Sequence, residues 1–311
     1  MLDYAALRAV AMVVRTGSFE RAARALNVTP SAVSQRVRQI EERMGAVLVL
    51  RGTPCTATET GEWLCRHVEN VGLLERDLLA RLPGLSETGG AGPVTLHVAT
   101  NADSLGTWFL PAVAEFAAAS GHLLKIEVDD EDHTADWLRR GQVLAAVTAL
   151  SRPVTGCRIR ALGALRYRAT ASPAFAARHF PDGVTAAALM AAPVLAFDRK
   201  DRLQAAWSRQ VLGEEVAGPT HWLPSTQGFV TAGLAGLAWG MNPEPLVRDH
   251  LAAGRLVELI PGAVLDVALF WQVNRMAADG LRTLTRAVTA AARAGLVPPQ
   301  PSGMLVSGST R

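Results

Sequence analysis

The 311-residue chain has only three cysteines, Cys55, Cys65 and Cys157, and only two lysines, Lys125 and Lys200, among its 31 basic residues. An odd cysteine count with no metal-ligand spacing excludes a disulfide scaffold and fits free thiols in a reducing compartment. The scarcity of lysine reads as the arginine bias of a GC-rich genome. No apolar run reaches the ~18 residues of a membrane span. Met1 leads into an acidic, helix-like segment rather than a basic and then apolar signal region. The expectation is a soluble cytoplasmic protein with no membrane partner. No Ser/His/Asp or Cys/His arrangement has convincing spacing, and no glycine-rich phosphate loop is present. His67, His97 and His122 fall on separate elements, which argues against a metal site. The chain is therefore expected to be no enzyme and to carry no metal or cofactor.

What the chain does have is apolar content, at 49%, enough for more than one packed core. Its formal net charge is only +3, so the placement of charge matters more than the sum. Residues 1–57 read as one small unit. A helix over Tyr4 to Arg15 puts Leu7, Val10, Ala11 and Val14 on one face, and Thr16-Gly17 stops it. Ser18 caps a second helix with Phe19, Ala22, Ala23 and Leu26 inward. After the turn Asn27-Val28, Thr29 caps a third helix with Pro30 at its first position. Val33, Val37, Ile40 and Met44 form its inner face, and Gly45 ends it. Val47 to Leu50 and Cys55 to Ala57 read as a two-stranded wing.

Residues 58–83 read as a long linker helix. Leu64, Val71 and Leu78 are seven apart, and Val68, Leu74 and Leu82 widen the stripe. Such a seam fits dimerisation by helix pairing, or packing against its own domain. Residues 84–93 are a glycine-rich hinge, and 298–311 a Pro/Ser/Gly-rich tail expected to be disordered. Between them, 94–297 alternate strands and helices. Strands are expected at Val94 to Thr100, Leu123 to Asp129, Val143 to Leu150, Val194 to Phe197, Leu237 to Met241 and Val264 to Val273. Helices are expected at Ser104 to Ala119, Thr134 to Arg140, Leu203 to Val211, Phe229 to Leu234 and Leu281 to Ala294. Two strand-helix sets with a late return imply open α/β sheets in two lobes around a cleft.

The outer face of the third helix carries Ser31, Ser34, Gln35 and Arg38, flanked by Arg36. Gln can pair with adenine and Arg with guanine in the major groove, while a helix N-terminus offers N–H groups to phosphate. Arg51 in the wing could enter the adjacent minor groove. The run from Ser18 to Glu41, continued by Gly45, Arg51 and Thr58-Glu59-Thr60-Gly61, resembles the helix-turn-helix of LysR-type transcription regulators almost position for position. That resemblance implies a winged helix-turn-helix, a linker helix and a two-lobed, type II periplasmic-binding-protein-like effector domain. It further implies a bacterial homodimer or tetramer acting on promoter double-stranded DNA with RNA polymerase as partner.

In open α/β sheets ligands bind beyond the carboxyl ends of the strands. Asn101, Asp103 and Ser104 occupy such a place, as helix cap, as ligand site, or as both. Asp129-Asp130-Glu131-Asp132 ends the next strand and suits a cationic ligand, or is a solvated acidic loop. Thr148, Asp198, Ser225 and Thr226 lie at comparable positions, and Trp108 is core or pocket lining. Asn101 to Leu105 with Thr107-Trp108, Asp130-Glu131, Ala196-Phe197-Asp198 and Phe270-Trp271 resemble the ArgP/LysG branch of the family. The resemblance implies lysine or arginine as effector and a basic amino-acid exporter gene as target. Gln227, neutral where an acid would suit an ammonium better, and Trp239, at a position where many relatives carry a smaller side chain, depart from that pattern. The rival expectations are an architectural or replication-origin DNA binder without effector, and an amino-acid-processing enzyme with a DNA-binding attachment.

Overall fold

The computed structural model describes residues 2–79, 94–129 and 134–298. The expected hinge at 84–93 and nearly all of the tail lie outside them. The chain divides into two compact units, Met1–Leu96 and His97–Arg311.

In the first unit, helices α1 (Tyr4–Thr16), α2 (Phe19–Ala25) and α3 (Pro30–Met44) precede a hairpin of β1 (Val49–Leu50) and β2 (Thr56–Ala57), then helix α4 (Glu59–Leu79). The three short helices begin at side-chain caps. Asp3 accepts from Ala5 and Ala6, Ser18 from Arg21, and Thr29 from Ala32. Gly17 and Gly45 end α1 and α3 in the left-handed conformation. The core is Leu7, Val10 and Val13 of α1 against Ala22, Ala23, Val33, Val37 and Ile40. The inner face of α1 is therefore rotated from the sequence expectation: Ala6, Ala9 and Val13 are buried, whereas Ala11 and Val14 are half-buried. Met44 is likewise exposed, one turn past the end of the core.

On α4, Leu64 and Val68 pack on this same core, so the first part of the expected dimer seam faces its own domain. Val71 is half-buried and Leu73 is the fully buried residue of that turn. Leu74 and Leu78 remain 42% and 58% exposed, as does Trp63 at 55%. Cys65 also lies against the core, where burial first and then Glu69 and Glu62 push its thiol up to about 12. Burial also raises Cys157, and Cys55 is buried. Because the thiolate is the reactive form, the native protein is expected to resist DTNB near neutral pH and to react fully only when unfolded. Fast release from folded protein would contradict this.

The second unit opens with β3 (Thr95–Asn101), α5 (Ala102–Ser104), a π-helical turn (Leu105–Phe109) and α6 (Leu110–Ser120). β4 (Leu123–Asp129), α7 (Thr134–Arg139) and β5 (Ala145–Thr148) follow. The long strand β6 (Cys157–Ala171) then leads into a second lobe of α8 (Pro173–His179), α9 (Ala186–Ala191), β7 (Val194–Ala196), α10 (Leu203–Leu212), β8 (Thr220–Trp222), α11 (Thr226–Leu234), β9 (Gly240–Pro243), α12 (Glu244–Ala252) and β10 (Val257–Glu258). β11 (Val264–Asn274) returns to the first lobe, and α13 (Arg282–Gly295) packs on α6.

The main sheet runs β10-β6-β11-β5-β3-β4, with β9 also paired to β6. β6 and β11 pair antiparallel along nearly their whole length and join the lobes. Arg166 holds Asp266 through two bonds of 2.8 Å, directly across this pair. Gly163 has φ 138°, and a Cβ there would stand 2.6 Å from the Val297 carbonyl, which bonds Ala164; only glycine lets the chain end close on β6.

Candidate functional site

Two surfaces carry the residues singled out from the sequence, one in each unit. On α3 the side chains sort by helical period. Val33, Val37 and Ile40 are buried, and Ser31, Ser34, Gln35 and Arg38 follow the i, i+3, i+4, i+7 spacing on the outer side. Ser31, Gln35 and Arg38 are exposed, and Ser34 and Arg36 are half-buried. None of Gln35, Arg36 and Arg38 has a hydrogen-bond or ion-pair partner among the described residues. Their polar ends are available to a ligand without breaking anything internal.

The hydroxyls of Ser18 and Thr29 are engaged locally: each caps its helix, Ser18 also donates to Glu20, and Thr29 shares a bond with Ser31. Pro30 sits exposed at the start of α3, where its missing N–H leaves no gap. Glu41 fixes the wing to α3. Its Oε1 accepts from the backbone N–H of Leu48 at 2.8 Å and of Val49 at 3.2 Å. The exposed Arg51 guanidinium lies 5.1 Å from the centre of the Phe19 ring, so a cation–π contact holds it beside α2. Helix start, outer stripe and wing arginine thus form one rigid polar surface.

In the second unit a cavity of about 40 Å³ lies between the lobes. Its walls are Asn101, Ala102 and Asp103 after β3, Asp129 at the end of β4, and Phe197, Asp201 and Leu203 after β7. Thr226 and Phe229 of α11 and Met241 and Pro243 of β9 complete it. The strand ends converge there, as ligand sites of open α/β sheets require. The lining holds three carboxylates and no basic residue.

Each carboxylate is held differently. Asp103 accepts from Thr226 Oγ1 at 2.6 Å and from the phenol of Tyr167 at 2.8 Å, a clasp between the lobes. Asp201 accepts from the N–H groups of Phe197 and Leu203 and from Gln204 Nε2. Asp129 accepts from Trp137 Nε1 at 3.1 Å and lies 3.8 Å from the Lys200 ammonium. Beside them the Ser104 hydroxyl is fully buried with no partner.

The structure redistributes the expected ligand residues. Asn101, not Asp103 or Ser104, is the cap, accepting from Ser104 N–H at 3.1 Å. Asp103 and Thr226 line the cavity. Ser225 is exposed and caps α11 through Gly228 N–H. Three expectations are corrected. Trp108 is core: its Cβ sits 2.7 Å from where a Cβ on Gly295 would stand, and its ring meets Phe109 edge-on. Thr148 is buried, accepting from Gln272 Nε2 at 3.1 Å behind the sheet end. Asp198 forms a turn by accepting from Lys200 and Asp201 N–H groups, which places Asp201 rather than itself on the cavity. Asp130 and Asp132 lie outside the described residues. Tyr167 and Asp201 escaped the sequence reading. For Asp201 the signal was available, because an Asp three residues after another at a strand end is a turn pattern.

Residues 4–62 match the family described as bacterial regulatory helix-turn-helix protein, lysR family, and residues 90–293 match the LysR substrate binding domain. The chain is 45% identical over 297 residues to the HTH-type transcriptional regulator ArgP of Pseudomonas aeruginosa, covering 96% of this chain and 98% of that one. The crystal structure of ArgP from Mycobacterium tuberculosis superposes with a TM-score of 0.72 at 42% identity, over 96% of this chain and all of that one. Full-length LysG of Corynebacterium glutamicum with bound effector Arg gives 0.62 at 38% identity, with the same coverage.

Proposed function

The chain belongs to the LysR family of DNA-binding transcription regulators, and on that premise we propose that L-arginine or L-lysine binds between its lobes and sets its action on a basic amino-acid exporter gene. The observation that carries this reading is the cavity lining, with three carboxylates, no basic side chain and apolar walls from Phe197, Leu203, Phe229 and Met241. A guanidinium or ammonium pairs with carboxylate through charge-assisted bonds, and the apolar walls match the methylene stem. An α-carboxylate is best placed at the start of α11, where backbone N–H groups and the helix dipole favour an anion. The arginine-bound LysG relative supports the same class of effector.

A ligand touching both lobes shifts the equilibrium between their arrangements only by its differential affinity for them. The clasp of Asp103, Thr226 and Tyr167 is the natural element for such a bias. The protein acts as a homodimer or tetramer in this reading, and the exposed Trp63, Leu74 and Leu78 of α4 supply an apolar stripe for a second copy. RNA polymerase is its partner at the promoter, and neither cofactor nor catalytic step is assigned. No described helix is long and apolar enough to cross a membrane, which accords with a cytoplasmic place beside the DNA.

The test is a thermal-shift screen of the common amino acids on the full chain, since a ligand that binds only the folded state stabilises it. Arginine and lysine are expected to raise Tm selectively. A screen in which neither does, or in which neutral amino acids act equally, would remove the basic-effector reading.

A further inference from the structure

Asp129 already has a cation on it. Of the three cavity carboxylates, Asp201 is bound by backbone and amide N–H groups and Asp103 by two hydroxyls. Only at Asp129 does the protein place a primary ammonium, that of Lys200, 3.8 Å from Oδ1. The two residues come from opposite lobes: Asp129 ends β4, and Lys200 follows β7. The placement is built, not incidental. Asp198 Oδ1 accepts from Lys200 N–H at 2.7 Å and fixes the backbone of the turn, while Trp137 Nε1 fixes Asp129 Oδ2 on the other side. The lysine side chain itself stays half exposed, at 49%, so it can leave without unfolding anything.

We propose that Lys200 is an internal stand-in for the effector's distal cation, competing with it for Asp129 and so lowering affinity and setting the concentration at which the protein responds. The inference rests on the basic-effector reading above. A lysine ε-ammonium carries the same charge as lysine's own side chain, so the site is offered in the free protein to a group of the ligand's chemistry. For an exchange between two cations, the apparent dissociation constant rises by the fraction of sites the internal cation holds. A half-exposed ion pair contributes little, so the effect is modest: Lys200→Met is expected to tighten L-arginine binding about two- to fivefold.

The experiment is calorimetric titration of L-arginine and L-lysine into the full chain as wild type, K200M, K200R and R199M. K200M should bind more tightly, with the gap from wild type shrinking as salt is raised. K200R, which keeps the cation, should behave like wild type. Arg199 is its exposed neighbour, and R199M removes the same charge one residue away; it should change affinity less than K200M. Wild-type binding with unaltered or weaker K200M overturns the competition, and so does an equal gain in R199M, which would mark a general field effect. Wild-type protein that binds neither ligand fails the effector reading first, and this inference with it.

Discussion

Replacing Gln35 or Arg38 by alanine is expected to weaken specific promoter binding by about 1–3 kcal/mol each, roughly 5- to 150-fold, with no loss of folding. Both side chains are exposed on the outer stripe of α3 and leave Val33, Val37 and Ile40 untouched beneath. Neither has an internal partner among the described residues, so truncation removes only what the DNA would have received. The two changes should also differ in kind. A base-edge contact relaxes discrimination between cognate and scrambled duplex, whereas a phosphate contact weakens both alike and lowers the salt slope by about one. Fluorescence anisotropy on both duplexes at two salt concentrations separates these outcomes. Undiminished cognate binding in both variants would place sequence reading elsewhere than on α3.

The helix-turn-helix was readable because its local signals agree. Ser18, Thr29 and Gly45 mark helix ends where the apolar period also changes, and Pro30 is tolerated only at a helix start. What the period could not resolve was phase: with alanine at 5, 6, 9 and 11, α1 offers two adjacent apolar faces, and the packing of α2 and α3 decides between them. In the second unit β4 was read to the residue, yet the 15-residue β6 was missed. Its arginines at 158, 160, 166 and 168 looked like surface. Two of them are instead satisfied across the sheet, Arg166 by Asp266 and Arg168 by Glu244 and Glu258, partners 76 to 100 residues away. Tyr167 was missed for the same reason, since its bond to Asp103 spans 64 residues. Sites assembled from such distant partners leave no spacing to read. Trp108 and Thr148 show the converse, side chains at legible strand and helix ends whose direction only packing fixes.

Asp129→Asn is expected to weaken L-arginine binding by about 1.5–3 kcal/mol, the range for a hydrogen bond to a charged group. That is a loss of roughly 10- to 150-fold, while effector-free DNA binding persists because α3 belongs to the other unit. Asparagine preserves size and one acceptor oxygen, so the Trp137 contact can survive and the change isolates charge. A general loosening of the lobes would nevertheless also weaken binding, and affinity alone does not separate the two. Citrulline does, because it replaces the guanidinium by a neutral urea of nearly the same shape. Wild-type protein should prefer arginine to citrulline strongly, and D129N should lose most of that preference. If instead D129N weakens both ligands by one factor, the pairwise interaction energy is zero by the logic of a double-mutant cycle. The distal cation would then be held by other acceptors, with Asp103 next to test through the same pair of ligands.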